Sequence, residues 1–306
     1  MTTPHYVVGA YASLPADRAA QEDYYALLGA QPWIDGTELP FPGDLADPAT
    51  RAWLGRRLPA HWHHNTVTLI PGTMQHVGRA PGFGLASPQE EGRLAAVRFA
   101  MDARDAIASL ADARGANDVA FLEIHTAPTA LADPDAMRRS VAELLGWDWL
   151  GARLVIEHCD RHVDGQAPEK GFLPIEEEVA IAQDAGIGIT VNWGRSCVEG
   201  RDAALPEAHI RTAADAGVLA GLMFSGAGPD ASRYGYPWID GHLPMAPDEP
   251  ASWMDAGRIA HCVAAADVPG LAYLGAKVCV PADADLDARL AHLAHIHDAG
   301  LLGEAV

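Results

Sequence analysis

Short apolar runs, each followed by a longer amphipathic stretch, recur eight times along the chain, and no other feature restricts its fold as much. The runs cover residues 6–11, 33–39, 66–70, 119–125, 153–158, 187–192, 219–225 and 271–278. Each is too short for a helix and largely apolar throughout, as parallel strands covered on both faces are. Between them stand helix starts: Asp47-Pro48, Ser87-Pro88 with Glu90, Asp133-Pro134, Pro174, Pro206-Glu207 and Glu249-Pro250. Proline at the first helical position gives up no hydrogen bond, and Ser87 with Glu90 reads as a capping box. Gly29, Gly115, Gly186, Gly217 and Gly300 fall where the helices should stop in a left-handed cap. Helix-to-strand joins are tight, as at Asp184-Ala185-Gly186, whereas strand-to-helix joins such as 71–85 and 226–249 are long. Eight such units with elaborate loops at one end predict a single (β/α)8 TIM barrel over residues 1–306, its site at the C-terminal ends of the strands. A doubly wound open sheet is the alternative, but no glycine-rich dinucleotide turn follows the first run.

With 49% hydrophobic and 20% charged residues the chain has the material for a large core. A net charge of -20 argues against nucleic acid and against an anionic membrane surface as partners. The start shows no basic segment leading into an apolar one, and no stretch approaches the roughly 18 apolar residues of a membrane span. The expectation is a cytoplasmic protein, with a homo-oligomer left open. Cys159, Cys197, Cys262 and Cys279 lie far apart without a C-x-x-C pair, which fits reduced, buried thiols.

Candidate chemistry sits at the strand ends. Glu157 closes the fifth run among apolar neighbours, so desolvation is expected to raise its pKa toward the range useful for acid or base work. A basic partner that merely stabilises the barrel mouth is the plain alternative. Lys277 closes the eighth run in a chain with only two lysines among its 21 basic residues. Where Arg serves for plain charge, a lysine points to a compact ammonium or an amine that deprotonates. It can stand in for a metal beside Glu157, polarise a substrate oxygen, form a Schiff base, or serve as an ion-pair partner. His125 shares a face with Phe121 and Glu123 by the period of two, and it reaches the mouth as a proton carrier or as a structural histidine. Glu123 lies deeper and orients it.

Asn192, Trp193, Arg195 and Glu199 crowd the end of the sixth run. Asn192 suits hydroxyls, and Arg195 suits a carboxylate or phosphate unless it pairs with Glu199. Trp193 offers a face to a sugar ring or packs in the core. Glu38, in the second run, and His76, in the loop after the third, are placed for substrate hydroxyls, with a loop anchor and a surface position as their alternatives. Ser225 opens Ser225-Gly226-Ala227-Gly228, where barrels often cradle phosphate on backbone N–H groups. That loop continues through Tyr234, Tyr236, Trp238 and His242, which predict a lid or a subunit interface. After Glu157, His158 or Asp160 secures the next loop, or Asp160 turns inward and makes an alternative metal site with Glu157 and His125. His61, His63 and His64 precede the third run and belong to the surface at the other end.

The strand ends GTELP (36–40), IEHCD (156–160) and NWGRS (192–196), together with the eightfold repeat, make the chain resemble the xylose isomerase-like TIM barrels. That superfamily comprises sugar isomerases, epimerases and endonucleases, and within it the likeness is to a bacterial family of unknown function. The resemblance implies a divalent metal held by Glu, Asp, His and Glu on strands 5 to 8. The corresponding positions are Glu157, Asn192, Ser225 and Lys277, of which only the first is a good ligand. No cofactor is therefore expected, with a divalent metal as the alternative. The resemblance implies an isomerase, epimerase or lyase acting on a sugar or sugar-derived carbonyl compound by proton transfer. Glu157 would be base or acid, Lys277 and Asn192 would steady the oxyanion, and His125 would serve the second transfer. A sugar-binding barrel without catalysis and a Lys277 Schiff-base lyase or aldolase are the other readings.

Overall fold

The structure, a computed structural model, describes residues 3–303. Eight parallel strands close into a barrel in chain order: β1 (His5–Val8), β2 (Gly36–Pro40), β3 (Asn65–Thr68), β4 (Val119–Ile124), β5 (Arg153–His158), β6 (Gly188–Asn192), β7 (Leu219–Phe224) and β8 (Tyr273–Ala276). Every predicted run overlaps a strand, and the runs overshoot mainly where the chain turns. Residues Ala10–Ser13, for example, form a 3-10 turn. The helices are α1 (Arg18–Gly29), α2 (Gly43–Ala46), α3 (Pro48–Arg57), α4 (Ile70–Arg79), α5 (Glu90–Arg114), α6 (Pro134–Leu145), α7 (Ile175–Ala185), α8 (Trp193–Gly200), α9 (Leu205–Asp215), α10 (Ala256–Ala265) and α11 (Leu286–Gly303). Among the described residues no helix is long and apolar enough to cross a membrane.

Most of the punctuation behaves as read. Asp47 and Asp133 accept backbone N–H groups of Thr50 and Ala136 at 2.7 Å and so cap α3 and α6, each worth about 1 kcal/mol. Gly115 and Gly186 close α5 and α7 in left-handed conformations. Three signals misled. Ser87 Oγ accepts from Gln89 N, a local turn, and α5 begins at Glu90 without a side-chain cap. The helix expected at Glu249-Pro250 starts at Ala256, capped by Asp255. Gly29 and Gly300 lie within α1 and α11.

The period of two sorts the strands into an inner and an outer face. Leu154, Ile156 and their counterparts pack outward in the large core between strands and helices. Inward, Val7, Phe121, Val155, Met223 and Tyr273 plug the lower barrel. Tyr273 fits because Gly221 faces it: a Cβ there would stand 2.4 Å from the ring. Such a layer is dry, and each large apolar side chain in it contributes about 1.5–3 kcal/mol. The next inward positions toward the strand C-termini are polar: Glu38 lies beside Thr66, Glu123 beside Val155 and Glu157 beside Thr190.

Candidate active site at the barrel mouth

Glu157 on β5 is the hub of the mouth. Its Oε1 lies 2.5 Å from Arg195 Nη1 on α8 and 3.4 Å from Lys277 Nζ, just past β8. Its Oε2 lies 2.8 Å from His125 Nε2, just past β4, and accepts the Thr68 hydroxyl at 3.1 Å. Lys277 also donates to Glu38 Oε1 on β2 at 2.8 Å. Gly9 makes room for the lysine stem, since a Cβ at that position would stand 2.7 Å from Lys277 Cβ. Below them Tyr273 donates to Glu123 Oε1 at 2.8 Å and shares a 2.5 Å hydrogen bond with Thr190. One oxygen from each of Glu38, Glu123 and Glu157 falls within 4.8 Å of the others.

These groups are almost wholly buried, so their charges are set by one another. Burial alone would raise Glu157, but Arg195, Lys277 and the His125 hydrogen bond hold it well below the usual carboxylate range. The rise expected from sequence is thus reversed, because Arg195 and Lys277 both reach the carboxylate and outweigh its desolvation. Burial, with the nearby charges of Glu157 and Glu38, pushes Glu123 well up, so it keeps its proton. Lys277 is held well above its ordinary value by Glu157 and Glu38 against the opposing effect of burial. An amine so held is protonated in the resting site and would have to give up that proton before it could form a Schiff base. Burial lowers His125 despite its carboxylate partner. An ionised Glu157 accepts the Nε2 proton of a neutral His125, which leaves Nδ1 a lone pair. That Nδ1, Glu38 Oε2, Glu123 Oε2 and Asn192 Nδ2 are buried and find no partner among the described residues.

The four positions that the resemblance matched to a metal tetrad do not make that donor set. Lys277 puts an ammonium beside Glu157, and Asn192 Oδ1 already accepts Ser225 Oγ at 2.8 Å and Arg195 N at 3.3 Å as the cap of α8. Asp160 does not join Glu157 and His125 either. Its carboxylate is occupied by the backbone N–H groups of Glu169, Lys170 and Gly171, so it secures the loop after β5.

The remaining candidates divide. Glu38, Asn192, Arg195 and Ser225 reach the mouth or its wall. Arg195 does not pair with Glu199 but binds Glu157 and, through Nε at 3.2 Å, Asp240. His76 is displaced: the segment read as a loop is α4, and its ring stacks on Phe83 at 4.5 Å, behind the small cavity that Phe83 and His125 line. Trp193 is fully buried in the outer core and offers no face to a ligand. The Gly226 N–H donates to Leu243 O at 2.7 Å, which removes it from a phosphate cradle.

The loop from β7 to α10 folds over the mouth and is latched there. Asp240 receives Lys170 Nζ at 2.9 Å and Arg195 Nε at 3.2 Å, while Glu169 accepts the Tyr236 hydroxyl at 2.6 Å and Asp240 N at 3.1 Å. Lys170, Asp240, Thr68 and Tyr273 were missed from sequence. The scarcity of lysine that singled out Lys277 applies equally to Lys170, and both lysines of the chain serve this region.

A family model described as domain of unknown function DUF4862 matches residues 7–292. The uncharacterized protein STM3670 of Salmonella typhimurium is 37% identical over 296 residues, covering 93% of each chain. Among solved structures, a D-tagatose 3-epimerase-like protein superposes with a TM-score of 0.63 at 13% identity over 99% of both chains. D-psicose 3-epimerase, crystallised in the presence of D-fructose, gives 0.56 at 16% identity over 98% of this chain and 100% of the other. A xylose isomerase-like TIM barrel protein from Mycobacterium smegmatis in complex with magnesium gives 0.52 at 12% identity over 98% of both. At these identities the likeness shows the fold, a xylose isomerase-like TIM barrel.

Proposed function

The chain belongs to the DUF4862 family of domains, and from its site we propose that it moves a proton at a carbon next to the carbonyl of a small sugar-derived substrate, as an isomerase or epimerase does. The observation that carries this reading is the Glu157–His125 pair, a carboxylate fixing a neutral imidazole by a 2.8 Å hydrogen bond with the second ring nitrogen left free, at the C-terminal end of a barrel. Nδ1 of His125 takes the proton from carbon. The electron pair of that C–H bond becomes the C=C bond of an enediol, and the carbonyl oxygen becomes an oxyanion. Glu157 steadies the imidazolium as it forms, so His125, and not Glu157, is the base. Asn192 Nδ2, the third N–H of Lys277 and the guanidinium of Arg195 are the donors for the oxyanion, in a dry site where such donors act strongly. Glu38 Oε2 accepts a substrate hydroxyl. Returning the proton to the former carbonyl carbon, while the neighbouring hydroxyl passes its proton to the oxyanion and becomes the new carbonyl, gives the isomer. A proton supplied to the original carbon from the opposite face, by solvent or a second acid, gives the epimer.

Support also comes from the names of two solved relatives, a D-psicose 3-epimerase and a D-tagatose 3-epimerase-like protein. In this proposal the Lys277 ammonium beside Glu157 supplies positive charge at the mouth. The test is solvent exchange: a panel of aldoses and ketoses is incubated in D2O and followed by proton NMR for loss of the signal next to the carbonyl. One or more should exchange, and His125→Asn should slow exchange at least about 100-fold with little change in KM. Saturable sugar binding with no exchange anywhere in the panel would convert the reading to a sugar-binding barrel.

A further inference from the structure

We propose that His158, Glu199 and His209 form a binding site for zinc or a similar borderline transition-metal ion on the outer side of the barrel wall, separate from the mouth. His158 follows Glu157 on β5 and so faces the opposite way, into the layer formed by α7, α8 and α9. There its Nε2 lies 3.4 Å from Glu199 Oε2 on α8, and His209 Nε2 on α9 lies 3.5 Å from Glu199 Oε1. Ligand atoms of all three fall within 4.8 Å of one another, and the two imidazole centroids are 4.8 Å apart. Zinc bonds of about 2.0–2.1 Å in tetrahedral geometry set neighbouring ligand atoms about 3.3 Å apart, and each imidazole Nε2 stands 3.4 or 3.5 Å from one oxygen of the Glu199 carboxylate, a different oxygen in each case. All three side chains are buried.

The outer partners select the same atoms. His158 Nδ1 is engaged by Glu178 Oε2 at 2.6 Å, and Glu178 in turn accepts the Thr126 hydroxyl at 2.6 Å. His209 Nδ1 is engaged by Ser196 Oγ at 3.0 Å. Holding Nδ1 in this way fixes both rings with Nε2 turned to the common point, the arrangement by which metal-binding histidines are oriented. His158 Nε2 is fully buried and makes no hydrogen bond among the described residues. Arg161 covers the solvent side: its backbone N–H donates to Glu199 Oε2 at 2.9 Å and its Nε lies 3.1 Å from Oε1, and the half-exposed side chain can swing away to leave Oε1 to the ion. Two imidazoles and one carboxylate favour zinc or cobalt over magnesium, which prefers oxygen ligands. An ion there would pin α8, on which Arg195 lies one turn before Glu199.

The test uses whole protein stripped with EDTA and titrated with zinc against a competing chromophoric chelator. One equivalent should bind, equally in Glu157→Gln, and His209→Ala should weaken binding at least 100-fold. Crystals of the unmodified protein grown with zinc give a reading that no variant's folding can obscure: anomalous density should lie between His158 Nε2 and His209 Nε2. Absence of saturable uptake at micromolar zinc, density in the barrel mouth, or uptake lost in Glu157→Gln and kept in His209→Ala would overturn the site. None of these outcomes depends on whether the mouth turns over a sugar.

Discussion

His125 and Lys277 face the same carboxylate yet are driven apart in protonation, the histidine lowered by burial and the lysine raised by Glu157 and Glu38. A base must be neutral to act, so kcat/KM for exchange should fall only as pH drops below about 6.5, the ordinary histidine value. Lys277 loses its proton only above its ordinary value, so it should add no alkaline limb up to about pH 10. An alkaline loss near pH 8 that disappears in a lysine variant would count against a permanently charged Lys277. The same pair makes a stability statement. Lys277→Met leaves Glu38 and Glu157 buried without their common cation and should cost about 3–5 kcal/mol in urea unfolding. Adding Glu38→Gln should make the double variant about 1–3 kcal/mol more stable than additivity allows, and strict additivity would show that the 2.8 Å contact carries no coupling. Glu157 and Lys277 were legible because each ends a strand in an apolar run. Thr68 and Asp240 were not, since nothing local marks a hydroxyl or carboxylate that finds its partner across the barrel.

At the scale of elements, the strands and the Asp47 and Asp133 caps were legible because their signals are local, while joins between elements were misread wherever packing overrode composition. The α4 segment holds a proline and two glycines and reads as a loop. Pro71 sits where a helix tolerates it, Ile70, Thr73 and Val77 bury one face, and a Cβ on Gly72 would stand 2.3 Å from the Phe99 ring, so the glycine is what lets α4 approach α5. The β7–α10 loop is the element whose motion the site requires, because Glu157 and Lys277 are buried beneath it. Its latch is electrostatic. Burial opposes ionisation of Asp240, but Lys170 and Arg195 hold it well below the ordinary carboxylate value. With the folded pKa depressed, the latch contributes fully above about pH 3.8 and is lost only as pH falls through the lower folded value. Asp240→Asn should therefore open the loop at neutral pH. Hydrogen exchange over residues 234–243 and 161–172 should accelerate at least tenfold, with the barrel strands unchanged, and equal protection in parent and variant would show that the aromatic contacts alone hold the loop.

Across the whole molecule the barrel has two ends with different duties, and an eightfold pattern makes that polarity readable even when single boundaries slip by a few residues. The end opposite the mouth carries its own buried ion cluster. Asp118, just before β4, is nearly buried, pairs with Arg114 on α5 and lies 2.5 Å from His63 Nδ1, while Arg114 also donates to the carbonyls of Leu58 and Pro59. This cluster ties α3, α5 and β4 together without touching the mouth. Asp118→Ala strands Arg114 without its carboxylate and should cost about 3–5 kcal/mol. Exchange turnover at 25 °C should stay within about twofold of the parent, because the change lies at the end of a TIM barrel that serves stability. His125→Asn should do the reverse, losing turnover while retaining a donor for Glu157 and melting closer to the parent than Asp118→Ala does. If Asp118→Ala instead lost turnover in proportion to His125→Asn while still folded, the two ends would be coupled through the strands, and placing the chemistry at the mouth alone would fail.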